Sequence, residues 1–138
     1  MPEERLSWMR MEPRKCHVNC DWYERNDPEG AWKTVAGWWL QSYGVYMFHS
    51  VIRRGNAYAC VTPQAANVPD VFEFAPDPEA ERVEDASGRR SFRRRGERMP
   101  VMVRRDPRRT IRAYARMKER ILAGMDPMKV GDIDWESL

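Results

Sequence analysis

The middle of the chain constrains the fold most, because apolar β-forming runs alternate there with short turns. Aromatic and β-branched residues favour strands, and a turn such as Gly55-Asn56 joins neighbouring strands as a hairpin. The last run stops at Pro63, which lacks the N–H that a strand ladder uses. The pattern therefore predicts three consecutive antiparallel strands, which are residues 31–41, 45–54 and 57–62.

A fourth strand is predicted just before these three. Its apolar residues alternate with polar ones over residues 15–24, at Cys16, Val18, Cys20 and Trp22. Turn-forming residues follow it at 25–30, and a shorter turn is expected at 42–44. With residues 1–13 as an N-terminal lead, the chain is expected to form a four-stranded antiparallel meander.

Residues 64–88 change character, because they hold three prolines and many acids. We interpret them as an acidic, proline-rich insertion or loop, partly ordered around Phe72 and Phe74. An edge strand carrying the Arg93–Arg95 run is expected within residues 92–103. It would bring the sheet to four or five strands.

A C-terminal helix is predicted from about Pro107 to Ala123. Asp106 suits the N-cap, Pro107 suits the first helical position, and Gly124 suits the residue just past the end. The predicted core face is made of Ile111, Tyr114, Ala115, Ile121 and Leu122. A separate basic stripe is made of Arg108, Arg112, Arg116 and Arg120.

The predicted fold class is therefore α+β, a four- to five-stranded antiparallel β-meander with one C-terminal amphipathic basic helix. A single domain is expected over residues 14–124. Residues 125–138 are expected to form a loose acidic tail, in which Trp135 either folds back or serves as a docking anchor.

Charge is distributed very unevenly along the chain. Residues 89–120 contain fourteen basic and three acidic residues, a net charge of +11, so the rest of the chain carries −8. Arginine presents a planar fork that matches phosphate, which favours nucleic-acid binding over a solvated basic face paired with acids elsewhere. The candidate nucleic-acid-binding residues are Arg93, Arg94, Arg95, Arg104, Arg105, Arg108, Arg109, Arg112 and Arg116.

The sequence gives little support for catalysis or for a metal site. It has no metalloprotease, nucleophile-elbow or P-loop motif, and His17 and His49 are expected to be structural. The odd cysteine count argues against a disulfide framework, and small buried hydrophobes are the expected role of the cysteines. The less favoured alternative is a zinc site drawn from Cys16, His17, Cys20, His49 and Cys60. We expect no enzyme activity, no metal and no cofactor.

Neighbouring tryptophans on the strand predicted at residues 31–41 suggest an interaction surface. Trp38 and Trp39 face opposite sides of a strand, so one belongs to the core and the other forms a protein interface or a base-stacking platform. Protein interface is the favoured role, and a homodimer is expected. No apolar run approaches the ~20 residues of a membrane span, and the acidic first residues do not resemble a secretory signal. A cytoplasmic protein without membrane contact is expected.

The order of the central elements resembles a known family. The residues that carry the resemblance, over roughly residues 14–123, are Gly30, Lys33, Val35, Ala36, Val51, Ile52, Gly55-Asn56, Pro63, Met99-Pro100 and the helix from Pro107. They are similar to the SpoVG-like family, named for stage V sporulation protein G, whose members are small bacterial DNA-binding regulators. The insertion at 68–88, the Arg-rich run and the extra aromatics depart from that family.

The resemblance implies a homodimer that contacts DNA through basic residues near its helix, here Arg104, Arg105, Arg108 and Arg109. The favoured hypothesis is a SpoVG-like nucleic-acid-binding regulator, with DNA favoured over RNA. The alternative is a phage or mobile-element inhibitor of the anti-CRISPR kind, which would bind a host nucleoprotein complex or an acidic protein.

Overall fold

The computed structural model describes residues 1–41, 44–65, 68 and 71–138, so residues 42 and 43 of the turn predicted at 42–44 and residues 66, 67, 69 and 70 of the predicted insertion lie outside it. The chain divides into a first unit, Met1–Val103, and a second unit, Arg104–Leu138. The described helices are α1 (Glu3–Trp8), α2 (Cys16–Asn26) and α3 (Pro107–Leu122). The described strands are β1 (Lys33–Gln41), β2 (Val45–Arg54), β3 (Ala57–Ala59), β4 (Glu73–Pro76), β5 (Ala80–Glu84), β6 (Arg90–Arg94), β7 (Glu97–Arg98) and β8 (Met102–Arg104).

Residues 16–26 are helical, so the predicted strand at 15–24 is wrong, and a short helix, α1, lies within the predicted N-terminal lead. Helix α2 buries Cys16, Asn19, Cys20 and Tyr23, which follow the spacing of three and four residues of a helix face. Val18, which the strand pattern placed beside the cysteines, is exposed. The alternation misled because residues four apart share a face in both a strand and a helix.

The first sheet contains the central hairpins in the predicted antiparallel pairing. Strand β1 pairs with β2 along its whole length, and β2 pairs with the shorter β3. The fourth strand is β4 from the predicted insertion, which pairs with the other side of β1 and gives the order β3-β2-β1-β4. Strand β8 also pairs with β2. The predicted α+β class, with an antiparallel sheet of four to five strands and a C-terminal helix, is confirmed, but β4 takes the place beside β1 that was predicted for a strand at 15–24.

The approach of β4 to β1 depends on the glycine at position 37. A Cβ built on Gly37 would lie 2.2 Å from the backbone oxygen of Ala75 and 2.8 Å from the ring of Phe74. Real Cβ atoms do not approach backbone oxygens so closely, so a side chain here would push β4 away. The glycine therefore allows the predicted insertion to join the sheet.

A second sheet contains the arginine run, in place of the single edge strand expected within residues 92–103. Strands β5, β6 and β7 pair in that order and are antiparallel. Arg95 and Gly96 form the turn between β6 and β7, and both have positive φ, 52° and 79°. Two successive residues of positive φ are typical of the tightest hairpin turns.

The core of the first unit lies where α1 and α2 cover the first sheet. Its buried side chains are Leu6, Met11, Cys20, Tyr23, Ile52 and Val61. Several large apolar side chains stay outside this core, and Trp8 is 82% exposed. No helix in the described part of the chain combines the length and apolar character of a membrane span.

Helix α3 begins and ends as predicted, but its predicted core face is wrong. Asp106 caps the first turn by accepting a hydrogen bond from the Arg109 N–H, and Gly124 has a φ of 84°. Ile111 is 67% exposed and Leu122 is 78% exposed, and the remaining large side chains of that face, Tyr114 and Ile121, are exposed as well. The buried residue of this helix is Ala113, on the opposite side.

The C-terminal segment is ordered rather than loose. Val130 and Ile133 are buried, and Trp135–Ser137 form a short 3-10 helix. The Arg120 guanidinium donates to the carbonyl oxygens of Val130 and Asp132, the second at 2.7 Å. Arg120 of α3 therefore binds the C-terminal segment within the second unit.

Candidate functional site

Two arginines of the basic run are neutralised by acids of the predicted insertion. Arg94 Nε lies 3.0 Å from Asp77 Oδ2, and the same guanidinium also contacts the Glu79 carboxylate. Arg95 Nε lies 3.0 Å from Glu79 Oε1. Residues 77–84 therefore supply counter-charges to β6, which is the pairing that the less favoured interpretation of the charge expected.

Asp77 is the centre of this charge network. It is buried, and it accepts hydrogen bonds from Trp38 Nε1 at 3.0 Å and from Arg94. Burial alone would raise the pKa of Asp77, but the hydrogen bonds from Trp38 and the Glu79 N–H and the charge of Arg94 hold that pKa below its ordinary value. The carboxylate is therefore ionised and holds Arg94 in place.

Two other arginines of the second sheet stay exposed. Arg93 and Arg98 are cross-strand partners on β6 and β7. Arg93 donates to the Gly96 carbonyl oxygen at 3.0 Å, and its partner on β5 is Glu81. Neither arginine forms an ion pair within the described residues. They are therefore available as phosphate donors on the second sheet.

The predicted arginines of the second unit fall into two groups. One group has partners inside the unit. Arg104 donates to the Tyr114 hydroxyl at 3.0 Å, and Arg109 lies 3.8 Å from Asp106 Oδ2. Arg112 donates to the Leu138 carbonyl oxygen at 3.3 Å, and Arg116 donates to Ser137 Oγ at 3.1 Å.

The other group consists of Arg105 and Arg108, which flank the start of α3. Both side chains are exposed. Across residues 1–41, 44–65, 68 and 71–138, neither makes a side-chain hydrogen bond or an ion pair. Their guanidinium groups are therefore available to a partner without breaking an existing contact.

The two tryptophans predicted as an interface are covered by side chains of the same chain. Trp38 packs against Phe48, with ring centroids 5.4 Å apart. Trp39 packs against Phe72 at 4.7 Å, on the other side of the strand. Both are half-buried, whereas the exposed tryptophans are Trp8, Trp22 and Trp135. The burial of Trp38 and Trp39 gives no support to their predicted role.

His17 lies between aromatic rings. Its ring is 5.2 Å from Phe48 and 4.5 Å from Phe92, and Nδ1 lies 2.5 Å from Ser50 Oγ. Burial, assisted by the positive charge of Arg82, lowers the pKa of His17 to about 4. The ring is therefore neutral at ordinary pH, as expected for a structural histidine.

His49 has a chemically different neighbour that the sequence analysis did not identify. Its Nε2 lies 3.4 Å from Cys60 Sγ. A signal for this pairing was present in the sequence. A hairpin turn at Gly55-Asn56 places Cys60 opposite Val51, and side chains two residues apart on a strand share a face. His49 and Cys60 therefore point to the same side of the sheet.

Metal ligands are not grouped in the described part of the chain, where no cluster of three His, Cys, Asp or Glu residues is suited to hold an ion. The zinc alternative therefore receives no support from the geometry. Comparison with protein-family models, with curated proteins and with solved structures gave no match for this chain.

Proposed function

We propose that the protein binds the phosphate backbone of nucleic acid, with DNA favoured over RNA. The observation that carries the proposal is the exposure of Arg105 and Arg108 without an acidic or hydrogen-bonding partner in the described chain. Next to them in the sequence, Arg104 uses one guanidinium nitrogen to bond Tyr114, and its other N–H groups are available to phosphate. Arg93 and Arg98 form a second basic element in the first unit.

Arginine chemistry supports this choice of ligand. A guanidinium group donates two parallel hydrogen bonds to phosphate and is only weakly hydrated, so the exchange of water for phosphate is favourable. Backbone contacts of this kind release counterions and carry no base information by themselves. We therefore expect binding with steep salt dependence and weak sequence preference.

Contacts within the chain support different roles for the arginines in this proposal. Arg94 and Arg95 would have to leave carboxylates to reach phosphate, and Arg112 and Arg116 would have to leave the C-terminal segment. These four are expected to contribute less than Arg105 and Arg108. The proposed phosphate-binding surface therefore contains fewer arginines than the basic segment 89–120.

The resemblance to SpoVG-like regulators supports the same choice, because it points to basic residues at the start of the C-terminal helix. Arg104, Arg105 and Arg108 occupy that position in the sequence. A SpoVG-like, dimeric, non-enzymatic regulator is part of the proposal.

The test is a binding titration across a salt series, with labelled duplex DNA, single-stranded DNA and RNA. Replacing Arg105 and Arg108 with Ala should weaken binding similarly for all sequences. It should also flatten the dependence of log K on log salt by about two units on duplex DNA, close to one for each lost phosphate contact.

The matched control replaces two supporting arginines, Arg112→Ala with Arg116→Ala. The same charge is removed, but the salt dependence should change by less than in the Arg105/Arg108 variant. Equal losses in the two variants would show that net charge alone drives binding. Absence of binding by the unmodified protein at low salt would refute the proposal.

A second candidate function is favoured by the exposed side of α3. Ile111, Tyr114, Ile121 and Leu122 form an apolar strip on a helix rich in arginine, which suits a partner with an apolar groove and an acidic rim. This is the surface expected of an inhibitor that occupies a host nucleoprotein complex or an acidic protein. Such an inhibitor would show no affinity for free nucleic acid in the salt series.

A further inference from the structure

Three of the six tryptophans line one open pocket of the first unit. Trp8 ends α1, Trp22 lies on α2 and Trp32 directly precedes β1, and Tyr23 completes the aromatic lining. Trp8 is 82% exposed and Trp22 is 40% exposed. Contiguous apolar surface that stays open to water commonly marks a binding site. We call this site the tryptophan pocket.

The tryptophan pocket has the size and the surface of a small-ligand site. Its volume is about 520 Å³, and most of its exposed lining is apolar. Pockets of roughly 300–1,000 Å³ with an apolar, aromatic lining are typical of such sites. Tyr23 is buried, and its ring meets the Trp32 ring edge-on with the centroids 6.4 Å apart. One wall is therefore fixed, while the exposed indoles of Trp8 and Trp22 can adjust to a flat ligand.

Two arginines border the aromatic rings. The Arg54 guanidinium lies over the face of Trp32, 4.9 Å from the ring centroid. Arg5 donates to the Tyr23 hydroxyl at 3.4 Å and forms no ion pair within the residues that the structure describes. A guanidinium group has five N–H donors, so both arginines have donors left for an anion beside the rings.

The carboxylates of the lining already have partners. Asp27 accepts hydrogen bonds from the backbone N–H groups of Glu29, Ala31 and Trp32, the shortest at 2.7 Å. Glu29 Oε2 lies 3.9 Å from Arg54 Nη1. A cationic ligand would therefore meet two guanidinium groups and only carboxylates that are in use. A neutral aromatic ring that carries a phosphate would meet indole faces and arginines, which suits it better.

We propose that the tryptophan pocket holds an unpaired base of single-stranded nucleic acid. The base stacks on the indole rings of Trp8 and Trp22, and the adjoining phosphates contact Arg5 and Arg54. Every nucleobase has a face that stacks on an aromatic side chain, so this contact tolerates any sequence. A base inside a duplex is stacked between its neighbours and has to leave the helix before it can enter a pocket. The pocket therefore selects single strands.

This inference rests on the proposed function and adds a property that phosphate contacts do not supply. A duplex and a single strand both offer phosphates, whereas only the single strand offers the faces of its bases. The sequence analysis considered a stacking platform at Trp38 and Trp39, and both are covered by Phe48 and Phe72. The stacking surface consists instead of tryptophans that α1 and α2 carry.

The first experiment compares two labelled strands of equal length by fluorescence anisotropy. One is oligodeoxythymidylate, and the other is an abasic strand that has the same phosphates and no bases. The unmodified protein should bind the strand with bases about tenfold more tightly or better, which is the effect of stacking one or more bases. Equal affinities would overturn the inference and leave the proposed function intact, because phosphate contacts alone would then explain binding.

The second experiment removes the indoles. Trp22→Ala, alone and combined with Trp8→Ala, should lower the affinity for oligodeoxythymidylate about tenfold and leave the affinity for the abasic strand unchanged. The matched control is Trp135→Ala, because Trp135 is 44% exposed, close to Trp22, but belongs to the second unit and does not line the pocket.

Circular dichroism checks the fold of each variant. Trp8→Ala alone keeps the test valid if Trp22→Ala does not fold, because the Trp8 side chain is almost fully exposed. Its expected result is a loss for oligodeoxythymidylate and none for the abasic strand. Equal effects of the pocket variants and Trp135→Ala, or equal losses for the two strands, would overturn the stacking role.

The third experiment tests the pocket without a strand. Adenosine monophosphate at millimolar concentration should shift the indole N–H signals of Trp8, Trp22 and Trp32 in the NMR spectrum, and ribose phosphate should not. A proline-rich peptide is the competing probe, because such peptides also dock on aromatic grooves. Shifts with the peptide and none with the nucleotide would overturn the inference in favour of a peptide site. Shifts with the nucleotide in a protein that binds no strand would refute the proposed function, and with it the assignment to single strands.

Discussion

The two histidines are held uncharged inside the first unit, and this links its stability to pH. Burial is the main cause that lowers the pKa of each to about 4, whereas the ordinary value is 6.5. Between pH 4 and pH 6.5 both histidines are protonated in the unfolded chain but neutral in the folded chain. The histidine contribution to stability is therefore full above pH 6.5 and is lost as the pH falls towards 4.

We predict that the free energy of unfolding falls as the pH is lowered from 6.5 to about 4. The slope should reach about 1.4 kcal/mol per pH unit for each histidine, which is the free energy of one pKa unit. Urea unfolding at several pH values measures it. His17→Gln should reduce the slope by about half, because only one histidine then takes up a proton on unfolding. A flat profile across this range would contradict the assigned pKa values.

Sequence reasoning at the residue scale recognised the residues but not their partners. It identified the arginine run and the structural histidines, yet it left open which acid meets Arg94. Asp77 and Arg94 meet because β5 and β6 form a hairpin, and β5 lay inside the segment that was interpreted as a loop. The contact between His49 and Cys60 was not predicted, because the two residues were grouped only within a five-residue set of zinc ligands, although the predicted hairpin register was sufficient to place them on one face.

At the scale of elements, α3 shows that an amphipathic pattern does not decide which side of a helix is buried. Both sides of α3 have a regular spacing, and long arginine side chains cover neighbouring surface with their methylene stems. Arg112, Arg116 and Arg120 bond to the C-terminal segment, while the apolar strip stays exposed. The side of α3 that is covered is therefore determined by residues 130–138, which come after the helix in the sequence.

We predict opposite effects of truncating two isoleucines in the second unit. At a dilution where the protein is monomeric, Ile111→Ala should change the free energy of unfolding by less than about 0.5 kcal/mol, because the side chain is exposed in the single chain. Ile133→Ala should destabilise by about 2–5 kcal/mol, because Ile133 is buried. Chemical denaturation of both variants measures the difference. A large loss in Ile111→Ala with none in Ile133→Ala would restore the predicted core face.

Elements whose signals are local could be predicted from the sequence. The hairpin of β1 and β2 and the limits of α3 follow from β-forming runs, the Asp106 cap and Gly124. Strands β4 and β5 have weak local signals, because proline and acids surround them. They form through pairing with β1 and β6, which depends on distant residues such as Gly37.

At the scale of the whole molecule, unpartnered apolar surface is the property that calls for an explanation. The strip on α3 is exposed, and contiguous apolar patches on soluble proteins commonly mark interaction sites. A second copy of the chain is the simplest candidate partner for this strip, because it is present wherever the protein is present. The predicted homodimer therefore acquires a candidate surface that differs from the tryptophan pair first assigned to it.

We predict a homodimer in which α3 contributes apolar contacts. Light scattering at tens of micromolar should give twice the mass of the chain. Ile111→Arg combined with Leu122→Arg should give the mass of one chain with unchanged circular dichroism, because charges would then face each other across the contact. A Trp38→Ala variant serves as the comparison. A monomeric unmodified protein at this concentration would contradict the prediction.

Asp77 has a consequence for how the first unit unfolds. One carboxylate accepts from Trp38 of the first sheet and from Arg94 of the second. If the second sheet opened alone, Asp77 would remain beside the indole as a charge without its cation, and uncompensated charge in a buried site costs several kcal/mol. Partial opening is therefore penalised, and the two sheets should melt in one cooperative transition.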